Sequence, residues 1–386
     1  MIPSRSADEV IGLTRLKKSL FFLITAMPSL LLLGIVVLLG RDIYEIRLVT
    51  PSAIYHGLQS HLAHEDPENI PLPDAIFSAG DTDKTTVYAF GESSLVLSDG
   101  KTFPEYLQQR HADLRVVNFG VSGIDSFVVR QRVEEALSVA KPDVVVLYYG
   151  HNDYNNAYQE YIMPNFFQQF DLFLRISYRF HNKNRPPGVL LADNPYWFSR
   201  LIRPKFFQFF EQLGMLDIDI RDYEPINQMI LDYYVRNNDA IIDMALSQNI
   251  PVVLITPVGN LHAEPFGDIH VTTALYKKGM ASQDYDDSLK YLKSARDAEI
   301  FTYDMRAKSP LIDYIRNYER PGVYVLDLEK KLEQMRFGFG YGEFLDYFHF
   351  NDKSHSLLAD IIYDFMASKN LVGSGQRRKR ELRKSS

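Results

Sequence analysis

The sequence predicts a layered α/β domain built on a parallel sheet, and three observations carry that prediction. Short apolar runs alternate with segments of helical spacing along most of the chain, which is the pattern of strand–helix–strand units. Val144–Tyr149 is a continuous apolar run following Pro142, as expected of a strand covered on both faces. The apolar fraction of 46% and charged fraction of 24% are those of a chain that folds around a core.

In chain order, Val87–Phe90 is a short strand ending at a glycine, and Phe103–Arg110 reads as a helix. Leu114–Asn118 is a second strand. Ser126–Val139 has helical spacing through Val128, Val129, Val133, Ala136 and Leu137. After the Val144–Tyr149 strand, Ile226–Leu246 is a helix and Pro251–Thr256 a strand. Asp286–Ala298 and Pro310–Tyr318 read as helices, Val323–Asp327 as a strand and Ser354–Met366 as the closing helix.

Composition excludes several classes. With 386 residues the chain can hold one large domain or two modest ones. The net charge of −7 argues against general nucleic-acid binding, which calls for a basic surface. No cysteine is present, so disulfides, thiolate metal sites and a Cys nucleophile are absent. Neither an H-E-x-x-H run nor a phosphate-binding G-x-x-x-x-G-K-S/T loop occurs. His262 and His270 stand in a loop without ligand spacing, so no metal and no cofactor is expected.

Residues 1–18 form a basic N-terminal tail before roughly 22 uncharged residues from Ser19 to Gly40, about the length that spans a bilayer as a helix. Pro28 is tolerable within such a span. The run exceeds the apolar region of a cleaved signal peptide, and no A-x-A-like site precedes Arg41, so the expectation is an uncleaved transmembrane anchor. Arg5, Arg15, Lys17 and Lys18 precede the span and only Arg41 and Arg47 closely follow it. The excess of positive charge places the N-terminus in the cytosol and the rest outside the cytoplasmic membrane.

A linker over 41–84 leads to the main domain at 85–372, and a basic tail expected to be disordered occupies 373–386. Between about 154 and 223 the strand–helix rhythm breaks into an aromatic-rich stretch that includes Phe166, Phe167, Phe170, Trp197, Phe206 and Phe207. It reads as a helical insertion, either a subdomain with its own core or a lid or substrate platform.

Four short blocks stand at the ends of strands or before the closing helix. Gly91-Glu92-Ser93-Ser94 directly follows the first strand, placing a serine in the crevice where α/β folds bind ligands. Asn118-Phe119-Gly120-Val121-Ser122-Gly123 follows the second, and its glycines let backbone N–H groups approach a ligand. Gly150-His151-Asn152-Asp153 follows the third, where an asparagine amide can donate to an oxyanion. Asp346-Tyr347-Phe348-His349 lies near the chain end. Each block alone is a common turn or cap; their joint occurrence in this order carries the signal.

That set resembles the SGNH/GDSL hydrolase superfamily over about Val87–Met366, in a form similar to its membrane-anchored bacterial members. One departure is Glu92, where the superfamily usually has aspartate. The resemblance implies a three-layer α/β/α flavodoxin-like fold and a serine hydrolase acting on esters without a cofactor. It makes Ser93 the nucleophile, with Ser94 the competing assignment, His349 the general base and Asp346 its orienting partner. Gly123 and Asn152, with the Ser93 N–H, become the oxyanion hole. A histidine can take the hydroxyl proton and return it to the leaving group near neutral pH.

His151 reads either as a substrate contact or as a structural histidine. Arg306 reads as an anion contact or, with Arg296 and Asp297, as part of an ion pair. Asn118 and Asp153 brace the loops, and His355 is a cap or surface residue. The expected substrate is an acyl ester, either an O-acetyl group on envelope polysaccharide or a lipid ester. Two alternatives stand beside hydrolysis: O-acyl transfer to or deacetylation of polysaccharide, and a non-catalytic anchored binding protein.

Overall fold

The computed structural model of the chain describes residues 70–77, 83–158, 219–265, 270–300 and 305–373. The expected anchor at 19–40, its N-terminal tail, most of the 41–84 linker, most of the aromatic insertion and the basic tail beyond 373 lie outside the described residues. Among the described residues no helix is long and apolar enough to cross a membrane.

Five strands form one parallel sheet: β1 (Thr85–Gly91), β2 (Leu114–Asn118), β3 (Val144–Tyr148), β4 (Val252–Ile255) and β5 (Val323–Leu326), in the spatial order β2-β1-β3-β4-β5. This is the flavodoxin-like order, with the direction of winding reversed between β1 and β3. The register sets Ala89 beside Asn118 on one side and Val146 on the other. Successive side chains of a strand point to opposite faces, so β1 and β3 feed two separate cores. Tyr88, Phe90, Val145 and Leu147 enter one core, Val87, Ala89, Val144 and Val146 the other.

The helices covering the sheet are α1 (Phe103–Arg110), α2 (Ser126–Val139), α3 (His151–Ala157), α4 (Glu224–Ser247), α5 (His270–Ala281), α6 (Tyr285–Asp297), α7 (Ser309–Arg316), α8 (Leu328–Gln334) and α9 (Asp352–Ser368). Val129 and Val133 of α2 and Ile226, Ile230, Ile241 and Ile242 of α4 fill the first core. Phe103 and Leu107 of α1, Leu332 of α8 and Leu358 and Ile362 of α9 fill the second. The result is the expected sandwich of helices, sheet and helices.

Local signals start these helices where the sequence places them. Thr102 and Glu105 form a capping box on α1, and Pro104 sits in its first turn. Asp125 caps α2 by accepting from the Phe127 and Val128 N–H groups, an arrangement typically worth about 1 kcal/mol. Besides α3, seven residues long and legible in the sequence only as a block after the third strand, two helices escape the sequence patterns. The buried positions of α5 are Thr272, Thr273 and Gly279, so no apolar stripe announces it, and His270 opens a helix rather than standing in a loop. The second, α8, follows immediately on β5 and is only seven residues long, capped by Asp327.

Candidate active site

Ser93 opens a short 3₁₀ turn, Ser93–Leu95, directly beyond β1. The turn is held by the Leu95 N–H donating to Glu92 O and the Leu97 N–H to Ser93 O. The strand must end here on a residue without a side chain: a Cβ at Gly91 would lie 2.2 Å from the Tyr148 carbonyl oxygen of β3. Backbone at that distance cannot give way. Ser93 is almost buried, whereas Ser94 is wholly buried and its Oγ has no hydrogen-bond partner among the described residues.

The turn at 346–349 arrives from the far end of the chain. A bridge between Phe344 and Phe350, whose rings stack at 4.4 Å, closes its base, and the Leu345 N–H donates to His349 O. Within it, Asp346 Oδ1 accepts from the backbone N–H groups of Phe348 and His349 at 3.0 and 2.9 Å. Its other oxygen lies 2.6 Å from His349 Nδ1, and His349 Nε2 lies 2.7 Å from Ser93 Oγ. A continuous chain of short contacts therefore joins serine, imidazole and carboxylate. Burial alone would raise the Asp346 pKa, but the hydrogen bond and charge of His349 and the two N–H donors hold it below the usual carboxylate value. The carboxylate is thus ionised at neutral pH and fixes the proton of His349 on Nδ1. That leaves Nε2 free to accept from the serine hydroxyl.

Asn260 was not marked by any sequence pattern. It lies just beyond β4, fully buried, and its Nδ2 donates to Asp346 O while its N–H donates to Tyr347 O. This ties the Asp346–His349 turn to the sheet. The available signal was its position, five residues past the last residue of β4, at the same sheet end as the other blocks.

The remaining blocks meet at β1 and β3. Glu92 is fully buried and accepts from the His151 and Asn152 N–H groups at 3.1 and 2.9 Å, which fastens the Ser93 turn to the start of α3. Burial pushes its pKa up to about 7, outweighing those donors and the neighbouring His349. Asn152 donates through Nδ2 to Ile124 O at 3.0 Å. An amide has a second hydrogen, and it remains for another acceptor. Gly123, with φ +80°, stands exposed on the same loop. Asn118 bridges the turns, donating to Leu95 O at 2.8 Å and accepting from the Gly120 N–H at 2.9 Å. Asp153 accepts from the Ser126 hydroxyl at 2.5 Å. Both brace the loops, as expected.

Four other residues behave structurally. His151 is buried, stacks on Phe348 at 4.8 Å and accepts through Nδ1 from the Ala307 N–H at 3.0 Å. Burial, with the nearby positive groups, pushes its pKa down to about 3, so it is a neutral strut. Arg306 is buried and pairs with Glu299 and the Asn260 carbonyl, which answers to the ion-pair reading rather than to an exposed anion contact. Arg296 likewise pairs with Asp297 and Glu329. His355 is neither a surface residue nor the cap of α9. It is fully buried and accepts from the Phe103 N–H at 3.3 Å, while Asn351 caps the helix. The aromatic wall on which α9 packs, Phe103 and Phe350, draws it inside. Among the described residues no three His, Asp or Glu side chains gather as a metal site.

The sequence pattern of the GDSL-like lipase/acylhydrolase family matches residues 86–278, half of the chain. It covers the first three blocks and stops short of Asp346 and His349. No curated protein matches the chain. Among solved structures, a lipase/acylhydrolase from Enterococcus faecalis is similar at 14% identity, covering 74% of this chain and 96% of its own, with a TM-score of 0.33. A member of the lipolytic protein G-D-S-L family from Veillonella parvula is similar at 11% identity, covering 71% and 94%, with a TM-score of 0.35. A catalytic mutant of an acetylxylan esterase from Geobacillus stearothermophilus matches at 13% identity, covering 73% and 94%, also with a TM-score of 0.35.

Proposed function

The chain belongs to the GDSL-like lipase/acylhydrolase family, and from that membership we propose that it is a serine esterase releasing ester-linked acyl groups through an acyl-serine intermediate. The observation that carries the reading is the chain of contacts from Ser93 Oγ to His349 Nε2 at 2.7 Å and from His349 Nδ1 to Asp346 Oδ2 at 2.6 Å.

In this reading His349 Nε2 takes the hydroxyl proton as Ser93 Oγ attacks the acyl carbonyl carbon. The C=O electrons move onto oxygen, giving a tetrahedral oxyanion. The Ser93 N–H, the Gly123 N–H and the second hydrogen of the Asn152 amide receive that charge, each such donor being worth about 3 kcal/mol in an acyl-transfer site. Collapse of the oxyanion breaks the ester C–O bond, and the departing alcohol takes the proton from His349. Water then repeats the sequence on the acyl-serine: His349 accepts its proton, the hydroxide attacks, and Ser93 leaves with the proton returned. Asp346 stays ionised throughout, holding the imidazole tautomer and balancing the transient imidazolium.

The acyl chemistry calls for an acyl ester; an envelope polysaccharide suits a position outside the membrane, and a lipid suits proximity to it. We place the domain outside the cytoplasmic membrane, tethered by the apolar segment 19–40, on the strength of that segment's length and its flanking charges.

The test is direct. Wild type is expected to hydrolyse a short aryl ester and to be labelled at Ser93 by a fluorophosphonate. Ser93→Ala should lose at least about 10³-fold in kcat while melting at the same temperature. Equal turnover by wild type and variant would overturn the assignment.

A further inference from the structure

Resting on that esterase reading, we propose that Asn156, which lies outside all four motif blocks, is a positioning residue that aims the Gly123 N–H into the oxyanion hole.

The loop carrying Gly123 is anchored unevenly. Before the glycine, the Val121 N–H donates to Gly91 O, and the Gly120 N–H to Asn118 Oδ1. After it, Ile124 O accepts from Asn152 Nδ2, and Asp125 is fixed as the cap of α2. Between these anchors Ser122 and Gly123 are exposed. Among the described residues the hydrogen bond holding the Gly123 main chain is the one its carbonyl accepts from Asn156 Nδ2, at 2.8 Å.

The conformation needs such a restraint. Gly123 sits at φ +80° with nothing within 4 Å of where a Cβ would be, so sterics do not confine it. A glycine there can rotate among several φ regions at little cost. A donor stabilises a developing oxyanion only if it is already aimed, because reorienting it during the reaction consumes much of the gain. Asn156 supplies the aim from a rigid base. It lies one helical turn after Asn152 on α3, so the two amides project from the same face. Asn152 grips Ile124 and Asn156 grips Gly123. The start of that helix is clamped to the nucleophile turn through Glu92, which accepts from the His151 and Asn152 N–H groups. Nucleophile and oxyanion donors thus share one frame. Asn156 itself is partly exposed, so its replacement leaves no cavity in the core.

The experiment compares wild type with Asn156→Ala and Asn156→Asp, using a short aryl acetate and fluorophosphonate labelling. Asn156→Ala is expected to lose about 10-fold or more in kcat with KM within twofold and an unchanged melting temperature, a fraction of the loss typical when an oxyanion donor is removed outright. Asn156→Asp keeps the shape but offers the Gly123 carbonyl a carboxylate. Its activity relative to wild type should therefore be lowest at neutral pH and rise as pH falls towards the carboxyl pKa, near 4, where a protonated carboxyl can donate. A purely structural role would not produce that recovery. The NMR order parameter of the Gly123 N–H vector should also fall in Asn156→Ala, a readout that does not depend on turnover. Retention of wild-type kcat and of the wild-type Gly123 order parameter in Asn156→Ala, with Ser93 labelled, would overturn the positioning role alone. Absence of Ser93 labelling in folded wild type would overturn the esterase reading and this inference with it.

Discussion

At the scale of single residues, the site contains two carboxyl groups whose surroundings push them in opposite directions. Asp346, against His349 and two N–H donors, is held below its usual pKa. Glu92, buried beside Ser93, is pushed up to about 7 mainly by loss of water. The groups facing Glu92 are the N–H groups of Gly150, His151 and Asn152, the His349 ring, and Tyr148 and Asp153. Its effect on stability has a definite sign. Between its ordinary value of 4.5 and about 7 the unfolded chain releases this proton while the folded chain keeps it. The folded state binds more protons there, so stability falls as pH rises through that window. Glu92→Gln removes the term. The urea midpoint of the variant should rise relative to wild type between about pH 5 and 8, by an amount on the order of 3 kcal/mol in unfolding free energy if nothing relaxes. A midpoint difference independent of pH would show that burial does not govern this carboxyl. Why the chain has glutamate here is plain from its contacts: one carboxylate spans two successive N–H groups of α3.

At the scale of elements, the last three short elements around β5 depend on one buried anion. Glu329, in the first turn of α8, accepts from Arg296 of α6 at 2.7 Å and from Arg316 of α7 at 3.1 Å, with Lys293 at 3.3 Å. Burial alone would raise its pKa, yet the three cations bring it down to about 2. Arg296 and Glu329 are nearly inaccessible to water, so removing one charge strands the other. Glu329→Gln should destabilise the fold by about 3–5 kcal/mol, read from denaturant unfolding. A loss below about 1 kcal/mol would show that water reaches the cluster. Of these elements α6 and α7 were legible in the sequence and α8 was not. Their cohesion comes from pairings between segments, and periodicity within a segment reports only burial against a neighbour. The sheet differs: the alternating apolar runs of β1 to β4 were visible because both faces of each strand are covered.

At the scale of the whole molecule, the expected tether and the catalytic chemistry make one joint prediction. If 19–40 spans the cytoplasmic membrane with its N-terminus inside, protease added to right-side-out spheroplasts should digest the main domain. Protease added to inverted vesicles should leave it protected. The reverse pattern would place the chemistry in the cytosol and remove envelope polysaccharide from the candidate substrates.

The sequence by itself determined the alternation of strands and helices, with all five strands, and the four blocks at the sheet's edge. Those properties are local: a glycine after an apolar run, a cap before a helical stripe, an Asp three residues before a His. Only the tertiary structure decided what the blocks do to one another. It brought His349 to Ser93 across 256 positions of chain, buried His151 and Arg306, whose roles the sequence left open, buried His355, which the sequence placed at a cap or the surface, and recruited Asn260 and Asn156, which no motif marks. Such roles depend on which backbone carbonyls lie within 3 Å of a side chain. That is settled by how the strands pack, because hydrogen bonds of this kind are made between segments that one-dimensional spacing cannot bring together.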